Sequence, residues 1–136
     1  MKKTPQQQGF TIIEVLVALA CVAVLATVAW PSYQSLLLRA QRAQARTALL
    51  QSAHWLERAA SANGSYPASN NIPASALQVE GQHYQITVTS TAQSYTLSAV
   101  PLGTQSADAC GTLTLNHLGV RGAQGGSQNA AQCWSR

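Results

Sequence analysis

The chain has 136 residues, with 8 Lys and Arg against 4 Asp and Glu for a formal net charge of +4. That length leaves room for one domain beside a membrane helix. Only 9% of residues are charged, and between Ala59 and Ala107 the sole charge is Glu80, a balance too weak to argue for nucleic acid by itself.

The first element is Phe10 to Trp30, 21 residues with one charge, Glu14, and no Gly or Pro. A helix of that length covers about 31 Å, close to the hydrocarbon thickness of a bilayer. The polar, basic stretch MKKTPQQQG precedes it and Pro31 follows. An ionisable group at membrane depth costs about 2.5–3.5 kcal/mol, so Glu14 calls for a partner. Trp30 and Tyr33 stand where the apolar run ends, either as interfacial anchors or as a contact with another subunit.

Gly9-Phe10-Thr11-Ile12-Ile13-Glu14, after a short basic leader and before an apolar helix, resembles the class III signal of type IV pilins. The resemblance implies a leader over residues 1–9, cut by a membrane prepilin peptidase between Gly9 and Phe10, and N-methylation of Phe10. It makes Glu14 the fifth mature residue, the glutamate that meets the N-terminal amine of a neighbouring subunit during assembly. The electrostatics agree, because opposite charges about 4 Å apart gain roughly 4 kcal/mol at an effective dielectric of 20. Loss of the leader removes Lys2 and Lys3, lowering the net charge to +2. An ordinary secretory signal would have an apolar core of only about 7–15 residues and no carboxylate. A lipoprotein signal would use Cys21, which lacks the usual leucine three residues before it.

Ser32 to Ala62 contains no Gly or Pro and is rich in Ala, Leu, Gln and Arg, all good helix formers. Ala45, Leu49, Ala53, Leu56 and Ala60 form one apolar stripe at helical spacing, and Asn63-Gly64 supplies the stop. The expected helix thus runs from Phe10 to about Ala62, all-round apolar over 10–30 and amphipathic over 31–62. Pro31 is the expected place for a bend. The pilin resemblance implies a partly unwound segment there, although Ala23 stands where that family often has glycine. Arg39, Arg42 and Arg46 share one helix face. They could meet lipid headgroups, acidic groups of neighbouring subunits, or DNA phosphates.

Residues 63–136 are expected to hold a connection, an antiparallel sheet and a cysteine-bounded C-terminal region. Ser61 to Gln82 is the connection. Three strands then follow by alternation: Tyr84, Ile86 and Val88; Tyr95, Leu97 and Ala99; Leu113 and Leu115. Period-2 patterning with short links predicts an antiparallel meander, apolar on the face that covers the helix stripe. Cys110 and Cys133 flank a 22-residue loop rich in Gly, Gln and Asn, which reads as a disulfide in an oxidising compartment. Cys21 reads as a small apolar side chain in the helix. The fold class is therefore α+β, a long N-terminal helical spine packed on a small sheet and pilin-like.

Cys110 to Ala123, with Asn63 to Pro67 (NGSYP), is similar to the PilE-like minor pilins of Gram-negative bacteria. His54, His83 and His117 are scattered with no metal-ligand spacing. Asp108, the only aspartate, would have to complete any Ser-His-Asp arrangement, with nothing else in its support, and no phosphate loop follows a strand. The sequence thus predicts a non-enzyme with no catalytic residue, metal or cofactor. The resemblance implies a minor subunit of a type IV pilus, serving twitching motility or adhesion. Its partners would be other pilin subunits, the prepilin peptidase, the inner-membrane assembly machinery and, before assembly, membrane lipid. The C-terminal domain would be periplasmic, then extracellular in the filament. Nucleic acid is not an expected partner. A DNA-uptake pilin, a type II secretion pseudopilin and a membrane-anchored enzyme are the competing readings.

Overall fold

Helix α1 spans Ile12–Asn63, 52 residues that include Pro31 without interruption. A computed structural model of the chain describes residues 9–135, so the expected leader lies outside them except for Gly9. The chain divides into two compact units between Leu36 and Leu37.

In the first unit, every large apolar side chain from Phe10 to Trp30 is exposed, Phe10 by 83% and Trp30 by 67%. This stretch makes α1 long and apolar enough to cross a membrane. A helix apolar all round must be covered by lipid or by other helices.

The helix start uses Thr11. Its Oγ1 accepts the Glu14 N–H at 3.3 Å, half of the reciprocal capping arrangement that Thr-x-x-Glu encodes. The expected start at Phe10 therefore moves two residues inward. At the far end Gly64 adopts φ +75° and donates its N–H to the Ala60 carbonyl at 2.8 Å, the left-handed stop that Asn63-Gly64 predicts.

In the second unit, short 3-10 turns at Ser69–Asn71, Ala74–Leu77 and Glu80–Gln82 occupy the long connection. Strands β1 (Tyr84–Ser90), β2 (Tyr95–Pro101), β3 (Gly111–Asn116) and β4 (Arg121–Gly125) follow, then a short helix α2 (Ala130–Trp134). The sheet is an antiparallel meander in chain order. The expected three strands are present, and β4 is a fourth. Its sequence, RGAQG, has no apolar alternation to announce it; backbone pairing to β3 from Gly111↔Gly125 to Leu115↔Arg121 defines it instead. A Cβ on Gly122 would collide with the Thr114 side chain, so glycine is what lets β4 approach.

The core joins Ala45, Ala48, Leu49 and Leu56 of α1 to Ile86, Leu97, Ala99, Leu113 and Leu115 of the sheet. Ala53 and Ala60, expected in the stripe, are only half-buried, while Ala48 and Ser52 are buried instead. The buried strip is displaced because the connection also packs on α1: the Ser52 hydroxyl lies 2.7 Å from the Ala76 carbonyl. The Cys110–Cys133 disulfide forms, with a Cα–Cα distance of 5.6 Å, and ties α2 to the start of β3. By the chain-entropy account such a closure contributes roughly 3–4 kcal/mol.

Candidate functional site

Two places collect the charged residues singled out by the sequence. The first is the N-terminal turn of α1. Phe10 and Glu14 are both exposed, and Glu14 has no ion-pair partner among the described residues. It lies in the first helical turn, where a carboxylate is favoured by the helix dipole.

The second is the arginine face in the second unit. Arg39, Arg42 and Arg46 do not act alike. Arg39 is exposed. Arg42 turns inward and pairs with Asp108 at 3.4 Å, with side chains 12% and 4% exposed, and its Nη1 also touches Cys110 Sγ. Arg46 donates to the Ser135 carbonyl. Burial, then repulsion from Arg42, lowers the pKa of the Arg46 guanidinium below its ordinary value. Of the three arginines that the sequence offers as contacts for anionic groups, Arg42 already has a carboxylate partner within the fold.

Asp108 anchors a buried network that the sequence did not reveal. It accepts from the Tyr84 hydroxyl at 3.1 Å and from Gln105 Nε2 at 3.2 Å. Gln105 Nε2 also donates to Tyr84 Oη at 2.9 Å and to the Leu38 carbonyl at 3.1 Å. Burial, the largest cause, pushes the Tyr84 hydroxyl up to about 12. Helix, β1 and the turn before β3 are thus locked by one ion pair and its neighbours. Buried Gln and Asp are the missed signal: two polar residues three apart in a stretch with few charges.

A second polar cluster surrounds Glu57, which accepts from the Tyr66 hydroxyl at 3.0 Å and the Tyr95 hydroxyl at 3.1 Å. Burial leads, and the bond to Glu57 adds, in raising the Tyr95 pKa. The Tyr66 and Tyr95 rings meet edge to face at 5.0 Å. Arg121 lies 5.3 Å from the Trp134 ring centroid, a cation–π pair. No group of three or more His, Cys, Asp or Glu is placed to hold a metal among the described residues.

Comparison with known proteins places this geometry. Residues 31–114 match the family described as type IV minor pilin ComP, DNA uptake sequence receptor, a stretch of more than half the chain. The chain belongs to this family of type IV minor pilins. Residues 4–30 match the prokaryotic N-terminal methylation motif. A type IV pilin from Shewanella oneidensis is similar at 36% identity and TM-score 0.55, over 73% of this chain and 99% of that one. The Neisseria meningitidis non-core minor pilin PilV is similar at 25% identity and TM-score 0.55, over 69% and 93%. Among curated proteins no match is found.

The minor pilin is therefore a type IV pilus subunit, as its leader motif and helix led one to expect. Its long helix and four-stranded antiparallel sheet match the solved type IV pilins. Its family and fold are those of structural proteins that assemble with other pilins.

Proposed function

We propose that this minor pilin is cut between Gly9 and Phe10, methylated at Phe10, and held in the inner membrane by residues 10–30 with its sheet domain periplasmic. It then enters the filament by packing that helix among those of its neighbours, and performs no catalytic step. Glu14 accepts the N-terminal ammonium of an adjacent subunit. One observation carries this reading: the methylation motif over residues 4–30 coincides with a helix whose apolar side chains are uncovered and whose only charged side chain over residues 10–30 is Glu14. Opposite charges brought together there offset the cost of burying either alone. Mass spectrometry of the protein from its host, with and without the prepilin peptidase, tests it. A mature chain beginning at methylated Phe10, lost without the peptidase, is expected; an intact Met1 or a lipid on Cys21 would overturn it.

A second reading, that the sheet domain receives DNA, is favoured by the family's description as a DNA uptake sequence receptor. Arg39, Arg58 and Arg121 are exposed in that domain and are candidate contacts for the phosphates of a duplex. Anisotropy with labelled duplex DNA over a salt series decides it. Binding that weakens with salt, and whose salt slope shrinks by about one unit for each arginine removed, supports this reading.

A further inference from the structure

Arg39, Arg42 and Arg46 line a notch of about 210 Å³ together with Gln128, Gln132 and Ser135. We propose that this notch binds a phosphate dianion, either inorganic phosphate or a terminal phosphomonoester.

Charge selects the ligand. Among the described residues, three guanidinium groups less the Asp108 carboxylate leave a surplus of two positive charges. The other acidic residues, Glu14, Glu57 and Glu80, are absent from its lining. A phosphomonoester carries about −1.5 to −2 at pH 7, which matches that surplus. A carboxylate or a phosphodiester carries only one negative charge and would leave it half neutralised. Repulsion from Arg42 adds to burial in disfavouring the charge on Arg46, and a bound dianion would offset that repulsion.

Size and shape agree. Pockets for drug-sized ligands run to about 300–1,000 Å³, so this smaller notch suits a single anionic group. Guanidinium forks present several N–H donors in a fixed plane and match phosphate oxygens. The Gln128 and Gln132 side chains supply further amide donors at the wall.

The walls are held in place before any ligand arrives. Arg39, Arg42 and Arg46 stand on one face of α1. The opposite wall is pinned three times, by the Cys110–Cys133 disulfide, by the Gln128 N–H on the Ala109 carbonyl at 3.0 Å, and by Asn129 Oδ1 accepting the Gln132 N–H at 2.9 Å. Arg46 bridges the two walls through Ser135. Arg39 is the exposed cation of the three.

The test uses the full chain in phosphatidylcholine nanodiscs, titrated calorimetrically with sodium phosphate and separately with sodium acetate. Saturable phosphate binding is expected, with acetate at least about tenfold weaker and phosphate affinity falling as pH drops through the second ionisation of inorganic phosphate, where the dianion takes a proton. Arg39→Gln and Arg46→Gln should each lower phosphate affinity about tenfold. Because Arg39 is exposed and bonded to nothing buried, its variant keeps the test valid if Arg46→Gln fails to fold. A repeat in nanodiscs containing phosphatidic acid separates the sources. Loss of free-phosphate binding means that a lipid monoester fills the notch, and retention means that solution phosphate does. Equal binding of acetate, an unchanged affinity in Arg39→Gln, or no saturable phosphate binding would overturn the proposal. The DNA reading stands or falls separately, because a duplex backbone offers diesters.

Discussion

The two stretches of α1 bury apolar surface in opposite ways. From Ala45 to Leu56 the helix hides only a strip, five residues of mixed size that include Ser52, and its remaining faces are wet. From Ile12 to Trp30 it hides nothing: Leu16, Leu19, Val24 and Leu25 are all more than half exposed. The same backbone geometry thus serves two solvents. One stretch is finished within the chain, and the other requires lipid or other subunits. Stability should therefore reside in the first and assembly in the second.

Substitutions should separate these roles. The largest stability loss is expected from Arg42→Ala, which strands Asp108 in the interior and should cost about 3–5 kcal/mol. Leu97→Ala, at a fully buried β2 position, should cost about 2–5 kcal/mol. Chemical denaturation of the full chain in detergent, followed by near-ultraviolet dichroism, reads both. If either variant melts with the parent, the sheet domain is not where the fold is held. Replacing both Cys110 and Cys133 with Ser should cost roughly 3 kcal/mol, measured in the same way.

A pH series sharpens the comparison further. The folded Tyr84 pKa of about 12 lies above the ordinary value of 10.0. Its contribution is therefore complete below pH 10 and disappears as pH rises towards 12. The melting temperature should fall across that window, and Tyr84→Phe should flatten this part of the profile. Smallest in stability is Leu19→Ala, expected to change sheet-domain melting by less than about 0.5 kcal/mol. Glu14→Gln should be equally silent in melting yet reduce the subunit's share of sheared filaments, measured by immunoblot. A Glu14→Gln variant that assembles normally would remove Glu14 from the assembly contact.

Much of this was legible in the sequence because it rests on periodicity and local chemistry. The apolar run, the Asn63-Gly64 stop and the alternation of Tyr84, Tyr95 and Leu113 with their neighbours each carry their meaning within a few residues. The unread parts depend on distant partners. β4 is glycine- and glutamine-rich because it must lie close to β3, so a pattern of hydrophobicity could not announce it. Arg42 looks like Arg39 on a helical wheel. Only the arrival of Asp108, 66 positions later in the chain, turns one inward and leaves the other in water. The arginine spacing was visible, but the notch needs α2, whose place is fixed by a disulfide rather than by propensity.

The glycine-rich β4 has a further consequence. A meander leaves two unpaired borders, and an open border invites a strand from another molecule. β4 is five residues long, carries two glycines and begins with Arg121. The Trp134 Nε1–H donates to its Gly122 carbonyl at 2.9 Å, occupying a backbone acceptor from outside the sheet. At the other border, the Ser90 N–H is taken by Ser69 Oγ at 2.9 Å. A pilus subunit has good reason to blunt its strands, since stray β-pairing would join subunits in the wrong register and clog the fibre.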